Sequence, residues 1–127
     1  MAFPSLSIGD LTAKMPIVQG GMGVGISLSG LASAVANQGG IGVIAGAMIG
    51  MKEPDVAKNP IEANLRALRQ ELTKAREKTQ GIIGVNIMVA LTTFSQMVRT
   101  AIENRADIIF SGAGLPLEMP KHLLQAC

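Results

Sequence analysis

Small and polar residues follow four short apolar runs of the sequence, and their types suit ligand binding. They are Gln19-Gly20-Gly21, Ala45-Gly46, Asn86 and Ser111-Gly112. An asparagine side chain both donates and accepts hydrogen bonds, and a glycine lets another group come close to the backbone. Ser111 has no G-x-S-x-G frame around it and so does not match the nucleophilic serine of a hydrolase. We predict a binding site from these residues, and no catalytic residue or metal site.

Glycines are densest in the segment from Pro16 to Ser27, PIVQGGMGVGIS, where they occupy positions 20, 21, 23 and 25. An ordered glycine loses more conformational entropy on folding than any other residue, so such a cluster needs a structural reason. Three reasons fit the pattern: a tight turn, a close approach of the backbone to a ligand, or a flexible loop.

The same segment imitates the phosphate-binding fingerprint of dinucleotide-binding folds. That fingerprint reads G-x-G-x-x-G and is followed by an acidic residue about twenty positions further on. Gly21 and Gly23 match it, but Ile26 stands at the third glycine and no acidic residue lies at Gly40 to Gly42. The segment therefore does not match a dinucleotide-binding site.

Amphipathic helices alternate with the apolar runs along the chain. The spacing predicts three helices, with Ser27 or Ser29, Asn59 (followed by Pro60) and Thr92 or Thr93 as their N-caps. It predicts strands over Ile41 to Gly46, over Ile82 to Val89 and after Asp107. In the second helix, Glu62 is expected at the capping-box position and in an ion pair with Arg66. Lys52 to Asn59 is expected to be a polar loop.

Strands that are apolar at consecutive positions, with amphipathic helices between them, indicate a parallel sheet covered by helices. Two architectures fit: a doubly wound open sheet, or part of a (β/α)8 barrel. Each strand ends in a small or polar residue followed by a loop, and function lies at these strand ends in both folds. The pattern favours the α/β class, as the N-terminal half of a (β/α)8 TIM barrel, with residues 1–127 as one unit.

Composition excludes several classes of partner. The 11 lysines and arginines and 9 acidic residues give a net charge of +2 with no basic cluster, so nucleic-acid binding is not expected. Leu31 to Met51 is weakly apolar but is interrupted at Asn37 to Gly40, so a helix, a turn and a strand explain it better than a membrane span. The start of the chain shows no signal-peptide pattern, and the single cysteine, Cys127, permits no internal disulfide. Both features favour a cytoplasmic protein.

Three strand-end motifs together resemble one family. They are KMPIVQGGMGVGISLSGLASAVANQGGIGVI, GVNIMV and ADIIFSGAGLP, in this order along the chain. The chain is similar over almost its whole length to the nitronate monooxygenases, formerly called 2-nitropropane dioxygenases. The flavin-type enoyl-acyl carrier protein reductases are close relatives of that family.

The resemblance implies an FMN-dependent barrel and a role for each motif. It places Gly20, Gly21 and Met22 against the flavin ring and makes Asn86 a contact of FMN. It also places Ser111, Gly112, Ala113 and Gly114, together with Pro116, at the mouth of the active site. The chemistry agrees, because glycine backbone can approach a flat ring, methionine is soft and polarizable, and an amide suits the pyrimidine edge of a flavin.

The resemblance also implies what this stretch lacks. A barrel of this class needs roughly 250 residues, and the family's flavin-phosphate site and its catalytic histidine lie further along than residue 127. His122 lacks the neighbours of that histidine motif. The chain is therefore expected to be the N-terminal part of an enzyme that oxidises alkyl nitronates with O2, and to be inactive alone.

Two alternatives stay open beside this expectation. One is the related reductase, which passes hydride from NAD(P)H through FMN to an enoyl thioester. The other is a non-catalytic fragment that forms homo-oligomers or aggregates through the exposed edges of its sheet. The expected ligands are FMN and a small-molecule substrate, with no membrane partner.

Overall fold

The computed structural model describes residues 3–119 and 121. His122 and Cys127, which the sequence analysis assigns no functional role, lie outside the described residues. The elements in chain order are β1 Leu6–Ile8, β2 Leu11–Ala13, α1 Ser29–Asn37, β3 Ile41–Ala45, α2 Pro60–Lys78, β4 Ile82–Met88, α3 Phe94–Glu103 and β5 Ile108–Gly112. The predicted alternation of helices and strands is confirmed from α1 onward.

The main sheet is parallel and follows the order of the chain, β3-β4-β5. Residues 17–19 add a short fourth strand beside β3, because the N–H of Ile41 donates to the carbonyl of Ile17 and the N–H of Gln19 donates to the carbonyl of Ile41. A doubly wound sheet reverses its strand order at a switch point, whereas a barrel adds each strand beside the previous one. The strand order is therefore that of a barrel, which confirms the predicted fold class.

All three helices cover one face of this sheet. Ile44 of β3 and Ile83, Val85 and Ile87 of β4 are fully buried against them in the larger core cluster. Side chains alternate between the two faces of a strand, so the intervening residues point to the opposite face. There Ile41 and Val43 form a second, smaller cluster with Ala13, Leu6, Ile82, Ile108 and Phe110. In a closed barrel this second face is the interior.

Helix α1 lies unusually close to β3, and a glycine makes that possible. A Cβ built on Gly42 would lie 1.9 Å from the carbonyl oxygen of Ala32. Any larger residue at position 42 would therefore push the helix away from the sheet. The predicted stop of α1 at Gly39 is also confirmed, since this residue has a φ of +88° directly after the helix.

The hairpin of β1 and β2 was not predicted from the sequence. Leu6 pairs with Ala13 and Ile8 with Leu11, so Gly9 and Asp10 form a two-residue turn, with a φ of +57° at Gly9. Gly-Asp between short alternating segments is a known hairpin signal, but strands of three residues are too short to show the alternation. Leu6 and Ala13 pack on the inner cluster, where they cover the end of the sheet at which the strands begin.

Two local predictions are wrong. Helix α1 has Leu28 at its N-cap without a side-chain cap, because Ser27 is buried and bonds to the glycine loop instead. Arg66 does not pair with Glu62: it bonds Glu53 and Asp55. Those two acidic residues belong to the predicted polar loop before α2.

Glu62 instead pairs with Arg69, which lies seven residues further along α2. The segment before α2 is a series of turns, fixed by Arg66 and by Asn64, whose Oδ1 accepts from the N–H of Gly50 at 2.9 Å. Within residues 3–119 and 121, no helix has both the length and the hydropathy that crossing a membrane requires.

Candidate cofactor site

Gly21 and Asn86, two of the predicted site residues, lie in contact at the end of the sheet where the strands finish. A Cβ on Gly21 would lie 2.7 Å from Cβ and 3.3 Å from Cγ of Asn86, and 3.4 Å from a methyl of Val43. Asn86 stands at the inner side of β4, between the outward-pointing Val85 and Ile87. The glycine motif that contains Gly21 and the GVNIMV motif that contains Asn86 therefore form one site.

The carboxamide of Asn86 is only partly engaged by the protein. Its Nδ2 donates to the carbonyl of Phe110 at 3.2 Å, which fixes the side chain across β5. Among the described residues, no donor is bonded to its Oδ1. The side chain is half-buried, so this oxygen can accept a hydrogen bond from a ligand.

Gln19 and Ser27 hold the glycine loop between them in one conformation. Gln19 pairs with the backbone of β3 in both directions: its Nε2 donates to the carbonyl of Val43 and its Oε1 accepts from the N–H of Val43, each at 3.0 Å. The same Nε2 lies 3.0 Å from Ser27 Oγ. The loop is thus anchored to the sheet on both sides of its glycines.

The hydroxyl of Ser27 closes the loop from inside. It accepts from the N–H of Met22 at 2.9 Å and donates to the carbonyl of Gly20 at 3.2 Å. Of the three reasons for the glycines, these hydrogen bonds favour a tight turn or a close approach to a ligand over a flexible loop. The sequence already placed Gln19 at the end of a strand. Its hydrogen bonds to Val43 could not be predicted, because they depend on the pairing of two strands.

Free backbone donors and exposed apolar side chains flank Gly21 and Asn86 in the chain. No acceptor is bonded to the N–H of Gly20 or Gly21 among the described residues, and a Cβ on Gly20 would meet nothing within 4 Å. Met22 is 49% exposed and Met88 36% exposed. Free N–H groups, an open amide oxygen and apolar surface fit a flat ring with a polar edge, so the donor set agrees with a flavin.

The loop after β5 reaches the same end of the sheet, but its serine points elsewhere. Gly112 is opposite Met88 in the register of β4 and β5, and its carbonyl accepts from the N–H of Val89 at 2.7 Å. Ala113 has a φ of +55°, and a Cβ on Gly114 would lie 3.0 Å from Val89. This loop therefore packs tightly over the end of β4.

Ser111 lies on the face of β5 that points to the helices. It is opposite Ile87 in the register and two residues after Ile109, and both isoleucines pack in the helix-side cluster. Its Oγ is buried without a hydrogen-bond partner among the described residues. The backbone at 112–114 therefore lies beside Met88 and Val89, at the end of β4, whereas the Ser111 hydroxyl lies on the opposite face of β5.

Comparison with known proteins agrees with the barrel fold. The family model described as "Nitronate monooxygenase" matches residues 5–126. FabK from Thermotoga maritima, a solved structure, matches with a TM-score of 0.65 and 29% identity, over 87% of this chain. A mutant of the same protein matches with a TM-score of 0.57 and 27% identity, over 79% of this chain.

This chain spans 31% and 29% of the lengths of those two matched chains. No curated protein sequence matches it significantly.

Proposed function

This chain belongs to the nitronate monooxygenase family, and on that premise we propose that it supplies the first four strands of an FMN-dependent barrel that oxidises alkyl nitronates with O2. Members of the family are flavin-dependent oxidoreductases. The contact between Gly21 and Asn86 carries the proposal, since it joins two of the family's motifs in one site with unpaired donors and an unpaired acceptor.

The chain's own residues would bind and orient the ring. Asn86, held by Phe110, presents its Oδ1 to a donor on the polar edge, and the N–H groups of Gly20 and Gly21 present donors to acceptors on the ring. Met22 and Met88 would exclude water from its apolar part. When bound, a flavin supplies the two-electron oxidation and the reaction with oxygen.

The backbone at 112–114 would border the entry for substrate, because it continues the same strand-end surface next to Met88. The family's histidine and flavin-phosphate motifs have no counterpart in residues 1–127. We therefore propose that these residues bind the ring weakly and do not turn over by themselves.

Retention of FMN tests this proposal. The full 127-residue chain is titrated with FMN, followed by flavin fluorescence, and then gel-filtered. We expect saturable binding whose Kd rises about fivefold in Asn86→Ala, since one hydrogen bond contributes about 1 kcal/mol. Asn37→Ala is the control: Asn37 bonds the carbonyl of Lys78 at the opposite end of the sheet. No saturable binding, or equal affinity for all three proteins, would count against the site.

The second candidate is the related enoyl-acyl carrier protein reductase, and the two matched structures, both FabK, are the reason to keep it. The two reactions differ in what reduces the flavin. Since residues 1–127 are not expected to turn over by themselves, the assay uses a complete barrel that contains them. Oxygen consumption with an alkyl nitronate and no nicotinamide would then indicate the monooxygenase. Oxidation of NAD(P)H that depends on an enoyl thioester indicates the reductase.

We also propose a cytoplasmic location. The one cysteine cannot form a disulfide within the chain, which fits a reducing compartment. Cell fractionation followed by immunodetection tests this, and enrichment of the protein in any other fraction would overturn it.

A further inference from the structure

The 47–55 segment, which follows β3, lies against the glycine loop. A Cβ built on Gly23 would lie 3.4 Å from the carbonyl oxygen of Ala47. At Gly25, where φ is +72°, the nearest atoms to such a Cβ are Cε and Nζ of Lys52, each 3.8 Å away. The segment therefore supports two glycines of the loop that contains Gly20 and Gly21.

The segment also starts between the two parts of the candidate cofactor site. The N–H of Gly46, directly before it, donates to the carbonyl of Asn86 at 2.9 Å. The N–H of Ala45 donates to the carbonyl of Ser27, also at 2.9 Å. The end of β3 thus bonds both the strand that carries Asn86 and the residue that closes the glycine loop.

Helix α2 anchors the middle of the segment. Gly50 packs so closely on the helix that a Cβ there would lie 2.5 Å from the carbonyl carbon of Ala63. The N–H of Gly50 donates to Oδ1 of Asn64 at 2.9 Å, and Nδ2 of Asn64 donates to the carbonyl of Pro60 at 2.7 Å. The segment is therefore held between α2 and the glycine loop.

Arg66 of α2 anchors the part of the segment that carries Lys52. Its Nε donates to Oε2 of Glu53 at 2.7 Å, and its Nη2 donates to Asp55. An isolated pair of exposed charges contributes little, but here one planar guanidinium binds two carboxylates, and the side chain of Glu53 is only 19% exposed. Because Glu53 directly follows Lys52, these bonds fix the lysine's backbone beside the loop.

We propose that Arg66 is a positioning residue of the candidate cofactor site and that it acts on the glycine loop through the 47–55 segment. Arg66 holds the segment, the segment supports Gly23 and Gly25, and the N–H groups at positions 20 and 21 thereby keep their direction. The identity of the ligand rests on the proposed function. The coupling between Arg66 and the loop does not, so the two can be tested apart.

Arg66→Gln and Arg69→Gln are matched variants. Arg69 lies three residues further along α2 and pairs with Glu62 of the same helix, outside the segment. The readout is hydrogen exchange of the 127-residue chain without ligand, at the N–H groups of Met22 and Ser27, each of which bonds the other residue. Exchange there should be about fivefold faster in Arg66→Gln, the effect of losing one net hydrogen bond, and unchanged in Arg69→Gln.

Three exchange results would overturn the inference. Equal rates in the wild type and both variants would show that Arg66 does not act on the loop. Faster exchange confined to the N–H groups of Gly50 and Glu53, which bond Asn64 and the carbonyl of Gly50, would show that the segment moves without the loop. Equal acceleration in both variants would indicate a general loss of stability.

FMN titration of the same three proteins separates this inference from the proposed function. The Kd should rise about three- to fivefold in Arg66→Gln only. An equal Kd in all three proteins would overturn the positioning role. If none of them bound FMN while exchange at Met22 and Ser27 was faster in Arg66→Gln alone, the coupling to the loop would stand and the proposed ligand would be wrong.

Discussion

Gly21 lies so close to Asn86 that a methyl group between them would be 2.7 Å from the asparagine's Cβ. The two residues are 65 positions apart in the sequence, and the pairing of residues 17–19 with β3 and of β3 with β4 brings them together. The position of the Asn86 amide therefore depends on the absence of a side chain at position 21.

Gly21→Ala should displace Asn86 and lower the free energy of unfolding by about 1–3 kcal/mol, the usual cost of overpacking. Gly20→Ala is the control, since its methyl would meet nothing within 4 Å. Urea unfolding measures both free energies, and FMN titration should show weaker binding for Gly21→Ala. If the two variants were equally stable, the contact between Gly21 and Asn86 would not be as close as described.

Gly42→Ala should lower the free energy of unfolding more than Gly21→Ala does. Its methyl would meet the backbone of α1, whereas the methyl at position 21 would meet a side chain. The nearest atom, the Ala32 carbonyl oxygen, would lie 1.9 Å away, so the helix must move, and we expect a loss of about 3 kcal/mol or more. Gly30→Ala on the same helix has open space and should stabilise by roughly 0.5–1 kcal/mol. In thermal unfolding, the melting temperature should fall for Gly42→Ala and rise for Gly30→Ala.

Glu71 of α2 caps the start of α1, and this gives stability that depends on pH. Its Oε2 accepts from the N–H of Ser29 at 2.9 Å, and its Oε1 bonds Lys74. Partial burial raises the pKa of Glu71, but the hydrogen bonds from Lys74 and Ser29 outweigh it and leave the pKa below its ordinary 4.5. A lowered pKa stabilises the folded chain above 4.5, and that contribution is lost as the pH falls through the folded-state pKa.

Glu71→Gln should therefore reduce the free energy of unfolding by about 1 kcal/mol at neutral pH and change it little at pH values below the folded-state pKa. Glu77→Gln, at an exposed position on the same helix, is the control. Denaturant unfolding across this pH range measures the difference. A constant gap between wild type and Glu71→Gln at every pH would contradict the capping role.

Arg76 joins three elements where the strands begin. It donates to the carbonyl of Arg105 at 2.6 Å, to the carbonyl of Gly81 at 2.9 Å and to Asp107 at 2.6 Å. Lysine keeps the charge but lacks the planar guanidinium fork with which arginine reaches all three acceptors. Arg76→Lys should therefore cost about 1–2 kcal/mol, and Arg99→Lys, at an exposed position on α3, close to nothing. Chemical unfolding of the two variants distinguishes a fixed geometry from a charge effect.

The sequence predicted the elements well where one physical signal dominated. Apolar runs bounded by glycine marked β3 and β4, and the 3.6-residue period marked α2. The ion pair predicted from spacing was wrong, because more than one acidic residue can reach the same arginine. Arg66 lies four residues after Glu62 but bonds Glu53 and Asp55, which a turn brings close. Side-chain spacing along a helix says nothing about acidic groups on the preceding loop.

The residues of the site could be predicted from the sequence, but their contacts could not, because these depend on how the chain folds. Gly21 and Asn86 could be named from their motifs, whereas their contact needed the register of three strands. Alternation along β5 could have shown that Ser111 shares a face with Ile109, but only after the strand's inner face was known. The FMN contacts of Gly20, Gly21, Met22 and Asn86 stay predictions.

The order of the sheet has a consequence for how the chain is made. Each strand pairs with the one before it, and each helix packs on its predecessor in the chain. On a ribosome, every newly emerged βα unit would find its docking surface already complete, so folding can proceed during synthesis without waiting for distant segments.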